Sequence, residues 1–230
     1  MAKPSTPPSP AAIETAKILF DIGAVHFNAE KPFIFTSGWA SPVYVDCRKI
    51  IGFVDARRRL MQLGVEQLEA AAGKNAFDVI AGGETAGIPF AAFLAEKFNL
   101  PMVYVRKQPK GFGRMAQIEG DLKEGARVLL VEDLASDGKS KIKFIDVLRK
   151  ANTTVAHTFV VFHYGIFPQS IQSLKDMGVA LHGLATWWDA LYVAREQKLF
   201  DENTLQQVES FLNDPIAWSG AHGGATGTDG

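Results

Sequence analysis

The stretch Arg127-Val128-Leu129-Leu130-Val131-Glu132-Asp133-Leu134-Ala135-Ser136-Asp137-Gly138-Lys139-Ser140 decides the fold. Four branched apolar residues in a row, Val128 to Val131, have no polar face. The strand they form is therefore covered on both sides, as in a parallel sheet flanked by helices. Two adjacent carboxylates follow at the strand exit, which sets them on the rim of the sheet. In open α/β sheets, ligands bind in the crevice outside the carboxyl ends of the strands. The small-residue turn that comes next presents backbone N–H groups at the start of a helix, where phosphate oxygens are stabilised. The two halves together suit a sugar phosphate.

A competing reading is a nucleotide triphosphate loop, because Gly138-Lys139-Ser140 mimics the end of G-x-x-x-x-G-K-[ST]. Asp133 stands where the first glycine belongs and Glu132 precedes it, so two carboxylates would face the polyphosphate that such a loop cradles. The acid pair argues against that loop and for a ribose or a metal ion.

The remaining composition narrows the class. The 230 residues are 47% hydrophobic and 21% charged, which is globular and large enough for one domain with a substantial core. Twenty-four basic and 25 acidic residues give a net charge of −1, so no global field attracts nucleic acid or an anionic membrane, and any anion site is local. The single cysteine, Cys47, lies in the alternating run Val43-Tyr44-Val45-Asp46-Cys47, reads as packing, and fits a reducing, cytoplasmic compartment. Residues 1–10, rich in proline and serine, read as a flexible leader. Residues 219–230 carry little apolar mass and are expected to be a disordered tail, so the domain proper is set at 11–218. No stretch is long and apolar enough to span a bilayer.

Residues 11–22 space Ile13, Ala16, Leu19 and Phe20 along one helical face, and Gly23 stops it. Phe33-Ile34-Phe35 and Val43-Tyr44-Val45 around a Ser37-Gly38 turn predict a hairpin set apart from the main sheet. From about residue 55 helices and strands alternate. Strands are expected at 77–81, 102–106, 127–131 and 155–162, with helices at 55–71, 88–98 and 140–150 between them, an order that predicts a parallel sheet wound by right-handed crossovers. After Pro168 a helix, a short strand at 179–184 and two helices from Trp187 complete the chain. Trp187 and Trp188 read as core or dimer packing, since no basic residues interleave them. His26, His157 and His182 have no metal-ligand spacing, and His163 reads as a strand-end cap.

Two connections carry further chemistry. Gly82-Gly83-Glu84-Thr85-Ala86-Gly87-Ile88-Pro89 lets a backbone approach a ligand and opens a helix beyond it, although a tight turn explains the glycines as well. The loop over 107–122 is long for an α/β connection, and such loops are commonly functional. Arg106, Lys107, Lys110 and Arg114 concentrate positive charge there, and Gly111 and Gly113 suit a lid. Cations for a pyrophosphate and carboxylates for ribose hydroxyls or Mg²⁺ are complementary needs of one substrate.

These segments together resemble the type I phosphoribosyltransferases, and more narrowly the orotate phosphoribosyltransferases. Phe35-Thr36-Ser37-Gly38-Trp39-Ala40-Ser41-Pro42-Val43-Tyr44-Val45-Asp46 is similar to the family's N-terminal hood, and Gly83-Glu84-Thr85-Ala86-Gly87-Ile88-Pro89 to its pyrophosphate loop. Tyr104-Val105-Arg106-Lys107-Gln108-Pro109-Lys110-Gly111 resembles the start of its catalytic loop, Gln117-Ile118-Glu119-Gly120 the end of it, and residues 131–140 its phosphoribosyl pyrophosphate signature. The resemblance implies an α/β fold, a parallel sheet flanked by helices, with a small hood over about 11–50 and a core over about 55–218.

It also implies a Mg²⁺-dependent glycosyltransferase of pyrimidine synthesis that moves a phosphoribosyl group from phosphoribosyl pyrophosphate to orotate. Lys107, Lys110 and Asp133 would be catalytic. Arg106, Lys107 and Lys110 would bind pyrophosphate together with Thr85 and Ala86, while Glu132 and Asp133 would hold the ribose hydroxyls. Ala135, Ser136, Asp137, Gly138, Lys139 and Ser140 would wrap the 5′-phosphate, Leu134 before them would also bind substrate, and Ser37, Gly38, Tyr44 and Val45 would flank the base. Mg²⁺ would be held mainly through substrate, with Asp133 as a protein ligand, and the chain would form a homodimer with shared sites. Several positions depart from the pattern. Phe112 stands where the loop commonly has a histidine, Asp137 and Lys139 border the phosphate turn, Thr36 replaces a hood lysine, and no arginine lies near His163-Tyr164. A transferase for another base and a non-catalytic sensor of phosphoribosyl pyrophosphate stay open as alternatives.

Overall fold

The computed structural model describes residues 6–111, 117–136 and 139–226, with 139, 140 and 168 in backbone only. In chain order the elements are α1 (Pro10–Asp21), β1 (Val25–Phe27), β2 (Phe33–Ile34), β3 (Ala40–Ser41), β4 (Val43–Val45), α2 (Val54–Ala72), β5 (Val79–Gly83), α3 (Gly87–Phe98) and β6 (Met102–Val105). They continue with β7 (Ile118–Glu119), β8 (Arg127–Ala135), α4 (Lys139–Lys150), β9 (Thr154–His163), α5 (Pro168–Asp176), β10 (Ala180–Thr186), α6 (Trp187–Glu196), α7 (Glu202–Asn213) and α8 (Pro215–Ala221). The chain divides into two compact units, one of Met1–Ile50, Tyr164–Ile166 and Ala185–Gly230, the other of Ile51–His163 and Phe167–Leu184. The C-terminal helices thus group with the N-terminal segment, whereas the sequence placed them with the core.

The second unit is built on a six-stranded sheet of order β10-β9-β8-β5-β6-β7, in which β6, β5, β8 and β9 run parallel and β7 pairs antiparallel with β6. The unbroken apolar run of β8 dictates this arrangement, because Val128, Leu129, Leu130 and Val131 are all buried and both faces need cover. On one face Val79, Ala81, Val103, Val105, Val128 and Leu130 pack with Phe144, Ile145 and Leu148 of α4. Gly87, at the start of α3, lies so close to the Val131 carbonyl that a methyl group would collide with it. Helix and strand backbones touch there.

The strand bearing the acids is longer than expected. It ends at Ala135 rather than Val131, because β9 stays paired with it through Glu132↔Val160, Leu134↔Phe162 and Ala135↔His163. The other neighbour, β5, leaves after Gly83, its last pair with β8 being Gly82↔Val131. The acids therefore lie inside β8, just past the point where β5 turns away. They are buried rather than on an open rim.

In the first unit the expected hairpin is rearranged. The antiparallel pairs are β1 with β4 and β2 with β3, so Phe33 faces Ser41 while Val43 to Val45 pair with Phe27 to Val25. The sequence reading overlooked Val25-His26-Phe27, whose burial alternates like that of a half-covered strand. Helix α1 is capped by Ser9, whose Oγ accepts the Ala12 N–H at 3.2 Å, and it buries Ala12, Thr15, Ala16 and Leu19. Phe27 stands at the centre of an aromatic cluster, with ring centroids 5.6 Å from Phe20, 5.0 Å from Phe200 and 6.3 Å from Trp187.

Three helices, not two, follow Trp187, and the third runs into the stretch expected to be disordered. Ser219 is fully buried; its Oγ accepts the Ala40 N–H at 3.0 Å and donates to the Ala225 carbonyl at 2.7 Å. The Ala225 N–H in turn donates to the Gly38 carbonyl at 2.9 Å. Composition suggested a segment with too little apolar mass to pack. Backbone hydrogen bonds and a glycine, Gly224, with no room for a methyl group beside Ala40 hold residues 219–226 down instead. Residues 1–5 of the expected leader and 227–230 of the expected tail lie outside the described residues.

Candidate active site

Glu132 and Asp133 are 7% and 8% exposed, unusually low for acids. The pleat of β8 directs them to opposite faces. Glu132 turns to the side covered by α4, where its carboxylate occupies the room left by the absent side chain of Gly83; a methyl group on Gly83 would strike both that carboxylate and Phe144. Gly83 is thus demanded by the acid, not only by a turn. Glu132 Oε1 is buried and has no hydrogen-bond donor among the described residues. Burial raises the Glu132 pKa to about 7; Lys141 and Lys107 pull against that rise, and Asp133 adds to it. A buried acceptor without a donor is costly to keep and is the kind of feature that marks a binding site.

The turn after β5 supplies the next part. Glu84 N–H donates to the Val105 carbonyl at 2.9 Å, and Glu84 Oε2 accepts the Lys107 backbone N–H at 2.6 Å. These bonds tie the 84–86 turn to the beginning of the cationic segment. Thr85 is exposed and Ala86 half-buried, ahead of α3. Arg106 is fastened twice: its N–H donates to the Gln117 carbonyl at 2.7 Å, and its Nη1 lies 3.3 Å from Glu119 Oε1. Its Nε is buried without an acceptor among the described residues. Glu119 belongs to β7, a two-residue strand inside what the sequence offered as an unbroken loop. Lys107 and Lys110 are exposed, and Lys107 stands near enough to act on Glu132.

Leu134 and Ser136 are half-buried, Ala135 is buried, and α4 opens at Lys139. Asp137 and Gly138, the side chains of Lys139 and Ser140, and Phe112, Gly113 and Arg114 lie outside what is described. The four proposed base-flanking residues belong to the first unit. Ser37 is exposed and Gly38 has a φ of +85°, which favours glycine at that turn. Tyr44 is half-buried with its ring 5.5 Å from that of Phe33, and Val45 is buried at 3%. The Val45 side chain is therefore packed away from solvent.

Two further buried residues stand out, of which the sequence reading overlooked Lys141. Lys141 is 2% exposed and donates from Nζ to the Leu134 carbonyl at 2.6 Å. His163 closes β9, at the strand end where the sequence placed it. It is 7% exposed, pairs across from Ala135, and has a buried Nε2 without a partner among the described residues. Burial, aided by Lys141, lowers its pKa to about 4, so its ring is neutral at pH 7. A signal for Lys141 was available: it sits one helical turn before Phe144 and Ile145, where an apolar residue belongs.

Comparison with known proteins turns this geometry into a family. Residues 54–177 match the phosphoribosyl transferase domain model. The chain is 58% identical over 208 residues to the orotate phosphoribosyltransferase of Dinoroseobacter shibae, covering 90% of this chain and 92% of that one. The chain belongs to the orotate phosphoribosyltransferases. Another member of the family, from Rhizobium rhizogenes, is 55% identical over 209 residues, with 91% and 90% covered. Among solved structures, the orotate phosphoribosyltransferase of Aeropyrum pernix superposes with a TM-score of 0.67 at 32% identity, over 81% of this chain and 99% of that one. The matched domain spans α2 to α5 and so contains the acid pair, the 84–86 turn, Lys107 and Lys141.

Proposed function

We propose that this chain transfers the phosphoribosyl group of 5-phosphoribosyl 1-diphosphate to orotate, giving orotidine 5′-phosphate and pyrophosphate on the route to UMP. One observation carries the reading: a buried pair of carboxylates, one with an acceptor lacking a donor, lies beside a turn tied to a cationic segment. In the reaction the bond from the anomeric carbon to the diphosphate oxygen breaks, a bond to a ring nitrogen of orotate forms, and the proton of that nitrogen passes to the departing diphosphate or to water. Positive charge develops on the ribose and negative charge on the leaving diphosphate. Glu132 and Asp133 stabilise the first by accepting from the ribose hydroxyls, and Lys107, Lys110 and Arg106 stabilise the second, with the backbone of Thr85 and Ala86 at the 84–86 turn. The segment from Ala135 to Ser140 takes the 5′-phosphate, and Ser37, Gly38, Tyr44 and the backbone at Val45 flank the base.

The donor set fits Mg²⁺. Among the described residues no group of three or more candidate ligands could cage a metal, and Mg²⁺ is habitually held by one or two carboxylates plus substrate phosphates and water. Asp133 is the protein ligand we assign, and the ion would neutralise the diphosphate as it departs. We further place the enzyme in the cytoplasm as a homodimer with shared sites. The lone, buried Cys47 supports a reducing compartment, and no described helix is long and apolar enough to cross a membrane.

The test is an assay of the purified protein with orotate, the ribose donor and Mg²⁺, following loss of orotate absorbance. Turnover is expected only with all three present. Absence of turnover with orotate refutes the assignment, and faster use of a competing purine or uracil in the same assay favours a transferase for another base. Donor binding without turnover of any base favours a sensor.

A further inference from the structure

Lys141 serves no role in the site as described so far, and packing alone does not explain it. On α4 it takes the first place of the sheet-facing stripe Lys141, Phe144, Ile145 and Leu148, all of them 4% exposed or less. A leucine or methionine would fill that place without desolvating a charge. An ammonium there loses its water and also stands in the opening turn of a helix, where the backbone dipoles already carry positive charge. Its surroundings answer both costs: Nζ donates to the Leu134 carbonyl at 2.6 Å, and its charge reaches Glu132 and the ring of His163. The carbonyl it grips belongs to the end of β8 where β5 no longer pairs.

We propose that Lys141 is a positioning residue of the ribose-phosphate subsite: its buried ammonium holds the Leu134 carbonyl, fixes the peptide plane from which the phosphate turn departs, and balances part of the charge of Glu132. The inference rests on the reading that this turn receives the donor's 5′-phosphate. A trans peptide is rigid, so anchoring the 134 carbonyl orients the last residue of β8, Ala135, and with it the direction in which Ser136 leaves the strand. The same ammonium lies within electrostatic reach of Glu132 and lowers the cost of burying that carboxylate next to a second one. His163, neutral, completes the pocket without adding a charge.

Steady-state kinetics on the full-length chain test this with Lys141→Met, which keeps length and apolar stem, and Lys141→Arg, which keeps charge. Wild-type turnover is measured first, so that failure of the underlying assignment is seen separately, as inactive parent protein. Lys141→Met is expected to raise KM for the ribose donor by about tenfold or more while KM for orotate stays within about twofold. Its melting temperature should fall, because Glu132 is left buried without a counter-charge and the Leu134 carbonyl without its donor. Lys141→Arg should recover a good part of the donor affinity. An unchanged donor KM in an active Lys141→Met protein overturns the proposal. So does a parallel shift of kcat and both KM values, which is what a purely structural lysine would give. Where Lys141→Met does not accumulate, Lys141→Gln, neutral but polar, provides the same comparison.

Discussion

Glu132 links folding to pH with a sign that can be checked. Its pKa is about 7 in the folded protein against 4.5 for a free side chain. Below pH 4.5 both folded and unfolded chains hold the proton; between 4.5 and 7 the folded chain keeps it and the unfolded chain releases it. Its contribution to stability is therefore largest in acid and is lost as pH rises through that window, by on the order of 3 kcal/mol. Glu132→Gln, which mimics the protonated side chain, should melt above wild type at pH 8 and with it at pH 4, in metal-free and substrate-free buffer. Equal melting at pH 8 would show that Glu132 is not desolvated. Gly83→Ala tests the same packing from the other side. The added methyl meets the Glu132 carboxylate and the Phe144 ring, so overpacking should cost about 1–3 kcal/mol in denaturant unfolding and weaken donor binding.

Among the elements, the segment from β6 into β7 and the end of α8 behave differently from their composition. Lys107 is exposed, and its contact with Glu84 is through the backbone. Lys107→Ala should therefore lower kcat by about 10- to 1,000-fold as a transition-state cation is lost, with a melting curve superimposable on wild type. Ser219→Ala should do the reverse. It removes an oxygen that joins Ala40 and Ala225 and leaves the Ala40 N–H without its acceptor, a loss of about 1–3 kcal/mol in chemical denaturation. Sequence periodicity revealed the sheet strands and α1 to α4 because burial on one or both faces writes a period into the residues. It could not reveal β7, whose two residues are too short to carry a period, nor the packing of 219–226, which depends on backbone hydrogen bonds and a missing side chain. The β1–β4 pairing was hidden for a related reason. Val25-His26-Phe27 is three residues long, and its partner is chosen by long-range register rather than by the Ser37-Gly38 turn.

For the whole molecule, the acid pair and the cationic segment were legible because charge adjacent to an apolar run is conspicuous. Their burial was not legible, since it depends on where β5 parts from β8. The proposed homodimer with shared sites predicts complementation. If Lys110 of one subunit serves the acids of its partner, mixing Lys110→Ala with Asp133→Asn after mild dissociation should restore activity, up to about a quarter of wild type, because random pairing makes half the dimers hybrids with one intact site. Mixtures as inactive as either variant would mean that each subunit works with its own lysine.

The meeting of Gly87 with the Val131 carbonyl has a mechanical consequence. With no slack between the start of α3 and the backbone of β8, the 84–86 turn and the carboxylates travel as one block. Swinging that turn aside cannot admit a substrate without dragging the acids along, so whatever gate the enzyme uses must hang on another part of the chain.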